Sequence, residues 1–182
     1  SSEYMSKTPG SFDNATKFTF SAWVKRSGVI GASSVNEILF SNWTSTNASS
    51  YIRFEDATDQ LQLFDKAHAT NYYSYRTNMA FRDCISWYHI VVAGDTSEDA
   101  GDRIKFYVNG KEVARTATTD QTQNFAMQSA AGTDSMIVGA VDNTGGVDSF
   151  FNGYMAEVYY IDGADLTASD FGEFDEDSPT IW

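Results

Sequence analysis

An all-β fold, two antiparallel sheets packed as a sandwich with one or two short helices, is the class this sequence predicts. Three observations carry it. Apolar and polar residues alternate with period two in many short runs, as half-buried strands require. Turn residues separate the runs. The only two prolines, Pro9 and Pro179, lie near the ends, so none interrupts a strand.

Each run follows from its pattern. "KFTFSAWVKR" sets Phe18, Phe20, Ala22 and Val24 on one face and Thr19, Ser21, Trp23 and Lys25 on the other, which Trp23 marks as partly covered. "YIRFE" alternates Tyr51, Arg53 and Glu55 against Ile52 and Phe54, and "QLQLF" alternates Gln60 and Gln62 against Leu61 and Leu63. "ISWYHIVVAG" is apolar on both faces, as in a central strand covered on both sides. "RIKFYVNG" points Ile104, Phe106 and Val108 one way; its Asn109-Gly110 predicts a type I′ hairpin into "KEVAR", because both central residues need positive φ. "SMIVGAV" reads as a buried strand. After Asn152-Gly153, Tyr154, Ala156, Val158 and Tyr160 alternate with Met155, Glu157, Tyr159 and Ile161 as a core strand. Helix is expected at "NMAFRD" and at "LTASDFGEF", where Thr167 and Asp170 have the spacing of a weak capping box. That last segment is expected to plug the sandwich edge.

With 182 residues the chain makes one domain over 1–182, and a domain of that size buries about 70% of its extended surface without a staple. Cys84 is the single cysteine, so no intrachain disulfide and no cysteine-based zinc site can form; it is expected to be a small buried residue. His68 and His89 are the only histidines, and His89 is expected to pack within its apolar run. A net charge of −13 opposes nucleic-acid binding, and no stretch approaches the roughly 18 apolar residues of a membrane span. Asn14, Asn42 and Asn47 each begin an N-x-[ST] sequon, as chance allows in a Ser/Thr-rich chain. Beginning at Ser1 without Met or leader, the chain is expected to be a processed product or a piece of something longer.

The order of motifs resembles the concanavalin A-like jelly roll in its laminin-G-like branch. The opening "FTFSAWVK", a strand ending "ILFS", "WYHIVVAGD", the hairpin "IKFYVNGKEV", "MIVGA" and "FFNGYMAEVYYIDGADLTASDFGEF" occur in that order from Phe18 to Phe174. The opening "FSAWVKRSG" and the closing "AEVYYIDGADLTASDFGEFDEDSPTIW" are similar to those of lectin-like proteins of marine bacteriophages. That resemblance implies a non-enzymatic structural or adhesive component: a fibre, decoration protein or adhesin domain on the virion surface. It would be assembled in the host cytoplasm, with other copies of itself, other virion proteins or host-surface glycans as partners. A secreted or cell-surface carbohydrate-binding lectin is the alternative, and a glycoside hydrolase on the same fold the third.

Candidate sites follow. A hydrolase would use Glu173, Asp175 and Glu176 of "EFDED", but Glu176 falls on the opposite strand face from the other two. No apolar run follows directly to supply a dry pocket that would raise a carboxyl pKa, so the cluster reads as a solvated acidic tail. No cofactor is required by any motif. Calcium is the metal whose oxygen ligands are at hand, in "VDNTGGVD" (Asp142, Asn143, Asp148) and in "GDTSEDAGD" (Asp95, Asp102); both also read as ordinary solvated turns. Sugar binding needs aromatic platforms beside planar polar groups, and Trp43, Tyr51, Tyr72, Tyr73, Tyr75 and Arg76 supply both. The same residue types dominate protein interfaces, so glycan and interface readings stand together.

Overall fold

The computed structural model describes residues 3–12, 14–28, 36–68, 71–131, 135–143 and 145–182. Among these residues the strands are β1 (Met5–Lys7), β2 (Lys17–Arg26), β3 (Glu37–Ser45), β4 (Ala48–Phe54), β5 (Gln60–His68), β6 (Asn71–Ala80) and β7 (Tyr88–Asp95). They continue with β8 (Ile104–Val108), β9 (Lys111–Glu112), β10 (Arg115–Thr119), β11 (Met136–Val138), β12 (Val141–Asn143), β13 (Gly146–Asp148) and β14 (Gly153–Asp162). One four-residue helix, α1 (Gln128–Ala131), and a 3-10 turn (Ala168–Asp170) complete the elements. Two antiparallel sheets face each other, one ordered β1-β11-β3-β4-β5-β6-β10 and the other β14-β2-β7-β8-β9. The β12–β13 hairpin stands apart from both.

The core lies between the sheets and is built from the faces that alternation assigns to it. Phe18, Phe20, Ala22 and Val24 of β2 are fully buried, and Phe54, Leu61 and Leu63 meet them from β4 and β5. β7 is central in its sheet, flanked by β2 and β8, and is buried from His89 to Asp95. Its strand begins only at Tyr88; Ile85 and Trp87 of the same apolar run stand exposed in the preceding loop. The Asn109-Gly110 turn has φ of 48° and 79°, the left-handed pair that a type I′ hairpin demands. The chain then crosses over: β9 pairs with β8, whereas β10 pairs with β6 in the other sheet.

Three expectations need correction. "NMAFRD" is not helical: Asn78, Met79 and Ala80 finish β6, and Phe81 then drops fully into the core. β14 is an edge strand paired only with β2, and its alternation breaks. Between Ala156 and Tyr159 it carries one residue more than β2, with Glu157 at φ 49°, which is a β-bulge. Met155 packs on the core before the bulge and Val158 and Tyr160 after it, so Tyr154 and Tyr159 end up exposed. Cys84 is partly exposed in the loop before β7 rather than buried.

One buried ion network ties the sheets together. Arg26, at the end of β2, is fully buried; its Nε donates to Glu37 at 2.9 Å, its Nη2 to Asp59 at 3.0 Å, and its Nη1 to the Phe81 carbonyl. Burial pushes the Glu37 carboxyl upward, and the Arg26 charge pulls against it. The closing segment lies over the outer face of the five-stranded sheet, where Phe171 meets the rings of His89 and Tyr159. The Thr167 N–H donates to Asp170 at 2.8 Å, and Thr19 bonds the Ala164 carbonyl and the Leu166 N–H.

Candidate functional site

The outer face of the seven-stranded sheet follows from parity. Since Ile52, Phe54, Leu61, Leu63, Tyr73 and Tyr75 point into the core, their neighbours in sequence point away from it. Cross-strand register then arranges those neighbours in rows. Arg53, Gln62 and Arg76 form one row across β4, β5 and β6; Tyr51, Phe64 and Ser74 form the next; Ser49, Lys66 and Tyr72 form the third, with Trp43 of β3 beside Ser49.

Aromatic rings stack along this face. Tyr51 and Phe64 lie 4.8 Å apart at 7°, and Phe64 and Tyr72 5.7 Å apart at 19°. Tyr72 is 47% exposed, so the ladder ends on an open ring. Polar groups border it. The Arg53 guanidinium sits 4.8 Å from the Tyr51 ring centre, and its Nε donates to Gln62 Oε1 at 2.6 Å. Gln62 in turn donates to Ser74 Oγ at 2.7 Å. Arg76 is held by Glu55, with Nη2 to Oε1 at 2.6 Å and Nε to Oε2 at 2.9 Å. Together Tyr51, Arg53, Gln62, Phe64, Tyr72 and Arg76 line a shallow groove of about 230 Å³ with Ser74 and Thr118.

Electrostatics in the groove are local. Burial opposes ionisation of Glu55, yet hydrogen bonds from Arg76 and Thr58 outweigh it and hold the carboxyl below its ordinary range. Burial draws the Arg53 guanidinium down and pushes the Tyr51 phenol up. Both keep their usual charge at neutral pH, since those groups titrate far above it. A stacked aromatic floor with a guanidinium, an amide and a hydroxyl around it can pack the apolar face of a sugar ring and bond its hydroxyls.

The predicted site residues divide. Tyr51, Tyr72 and Arg76 meet on the platform, and Trp43 shares its face at the far row. Tyr73 and Tyr75 are buried instead: Tyr73 packs edge-on against Phe125, and the Tyr75 hydroxyl donates to Asp120 at 2.7 Å. They cannot serve as platforms. Arg53, Gln62, Phe64 and Ser74 were missed, although residue parity places them beside Tyr51 and Tyr72 once the inner face is known.

The other candidates are dispersed. Asn143 donates to Asp148 at 2.7 Å across the β12–β13 hairpin, while Asp142 pairs in register with Val147; Thr144 between them lies outside the described residues. The Asp95 carboxylate is engaged by Lys17 at 2.5 Å and by Ser97 at 2.6 Å, and Asp102 lies exposed. Among the described residues no group of three or more His, Cys, Asp or Glu side chains is placed to hold a metal ion. In the tail, Glu173, Asp175 and Glu176 are exposed, and Asp175 accepts the N–H groups of Asp177 and Ser178 as a turn cap. A second cleft, about 200 Å³ between β1, β11 and β14, is lined by Met5, Phe20, Phe40, Val138 and Tyr160; it lacks the clustered donors of the platform.

A search of curated proteins finds no match. Solved structures share the fold at low identity. The CBM40 domain of Ruminococcus gnavus IT-sialidase, bound to α2,6-sialyllactose, matches with a TM-score of 0.62 at 15% identity, covering 93% of this chain and 96% of that one. The binding domain of botulinum neurotoxin DC in complex with SialylT matches at 0.61 and 11% identity, over 92% of this chain and 37% of that one. Domains LG4-5 of the mouse laminin α1 chain match at 0.59 and 12% identity, over 89% of this chain and 40% of that one. The family model of laminin G type matches residues 1–170, and with a two-sheet sandwich in place the chain belongs to the concanavalin A-like lectin/glucanases superfamily.

Proposed function

We propose that the protein is a glycan-binding module of lectin type whose ligand lies on the outer face of β4, β5 and β6. The observation that carries this is the Tyr51–Phe64–Tyr72 ladder, stacked on an open sheet face and bordered by Arg53, Gln62, Ser74 and Arg76. Carbohydrate-binding neighbours of the same fold, among them the CBM40 domain with sialyllactose, support the reading. The module is non-catalytic in this reading: the acidic tail residues are solvated and turn-bound, away from the platform. Display is the mechanism, with a rigid sandwich presenting one face to surface glycans.

A place on a virus particle, as fibre, decoration or adhesin domain, rests on the closing motif from Ala156 to Trp182 and extends the same display role. A net charge of −13 suits it by keeping neighbouring copies apart. A glycan array probed with the protein and with a Tyr51→Ala/Tyr72→Ala double variant tests the module. Retention of at least one glycan class by the parent, lost in the double variant, is expected. Equal retention by both would remove the platform from the account. Sedimentation of the chain tests the structural role, which requires self-association at high concentration rather than a clean monomer.

A further inference from the structure

We infer that the platform selects sugars bearing a carboxylate, and that the Arg53 guanidinium is the group that reads it; this rests on the glycan-binding reading above.

The two arginines of the groove are not equivalent. Arg76 spends its charge on Glu55, with three contacts at 3.0 Å or less, and its Nη1 donates to Thr118 at 3.1 Å. Arg53 has only Nε engaged, and by a neutral amide oxygen, Gln62 Oε1. Among the described residues no carboxylate lies within ion-pair distance of Arg53, and no acceptor meets its Nη1 or Nη2. Its plane is fixed from two sides, by the Tyr51 ring beneath and by the Ser74–Gln62–Arg53 chain of hydrogen bonds across β6, β5 and β4.

Glu55 and Asp56 act on this guanidinium only at longer range, and burial is the larger influence on it. A guanidinium drawn partly out of water gains most from a planar anion that takes two parallel N–H bonds, as a carboxylate does. Gln62, 1% exposed and with both ends of its amide satisfied, has the geometry of a positioning residue for that fork. The chain as a whole repels anions, so selectivity for one must come from a local cation with charge to spare. Tyr51, Phe64 and Tyr72 then supply stacking surface for the ring that carries the acid.

The carboxylate has two natural sources in glycans: a nonulosonic acid such as sialic acid, or a uronic acid. Calorimetric titration with sialyllactose, with an oligogalacturonate, and with the methyl ester of each distinguishes them. At least one free acid should bind about tenfold or more tightly than its ester, the scale of a charge-assisted hydrogen bond. Arg53→Gln should abolish the difference in affinity between acid and ester, while Arg53→Lys, a cation without the fork, should keep only part of it. Melting temperatures of the variants verify folding. Equal binding of acid and ester, or a preference that survives Arg53→Gln, overturns the inference while leaving a neutral-glycan platform standing. Failure of every glycan to bind, acidic or neutral, overturns the glycan-binding reading itself and the inference with it.

Discussion

Replacing Trp182 by Phe probes how the end of the chain is fastened to the sandwich. The indole N–H donates to His89 Nδ1 at 2.9 Å, and the two rings stack at 5.6 Å and 23°. Indole nitrogen can only donate, so His89 Nδ1 must be an unprotonated acceptor, and the ring proton sits on Nε2, facing Ser21 Oγ at 3.0 Å. Phenylalanine keeps most of the stacking, including the edge contact with Phe174, but removes the donor. The loss is then one hydrogen bond to an imidazole that is 2% exposed, about 1–2 kcal/mol once the stranded acceptor is counted. Urea unfolding at pH 7.5 reads this as a lower midpoint with an unchanged slope. A loss under about 0.5 kcal/mol at that pH would refute the coupling of tail to sheet.

The remaining predictions concern charge and metal. Burial depresses the His89 pKa, so the unfolded chain takes up the proton first as pH falls. Stability is therefore full above about pH 6.5 and declines as pH drops through that value; His89→Gln should flatten this part of the profile, and an unaltered profile would contradict it. Arg26→Met leaves the buried Glu37 without its guanidinium and takes from Asp59 one of its arginine partners, and should cost about 3–5 kcal/mol in the same unfolding assay, whereas a near-neutral change would show the network to be replaceable. Glycan retention should persist in EDTA, because the platform works through ring faces and donors. Loss on chelation would move binding to the oxygen-rich loop of Asn143 and Asp148.

Much of the fold was legible because alternation is a local signal. Phe18, Phe20, Ala22 and Val24 sit where period two put them, and Asn109-Gly110 makes the turn its residues require. What escaped was set by partners distant in sequence. Nothing in "YMAEVYY" announces that Glu157 bulges against β2, and one extra residue brings Tyr154 and Tyr159, which strict alternation sets on opposite faces, to the same exposed face. "NMAFRD" has helix-forming residues, but the pairing of Ala80 with Gln60 of β5 and the Asn78 N–H bond to the Ala114 carbonyl claim its first half for the sheet. In "NYYSYR" parity already separates Tyr73 and Tyr75 from Tyr72, Ser74 and Arg76; which set faces water depends on the opposite sheet. The Arg53–Gln62 contact spans two strands and the Trp182–His89 contact 93 residues, so neither could be read from spacing.

Backbone amide shifts recorded by NMR while the protein is titrated with an oligosaccharide it retains test the central claim most directly. Perturbations centred on Tyr51, Arg53, Gln62, Phe64, Tyr72 and Ser74, across the middle of the seven-stranded sheet, are predicted. Perturbations confined to the β12–β13 hairpin or to the tail from Glu173 to Trp182, with the platform unmoved, would contradict it.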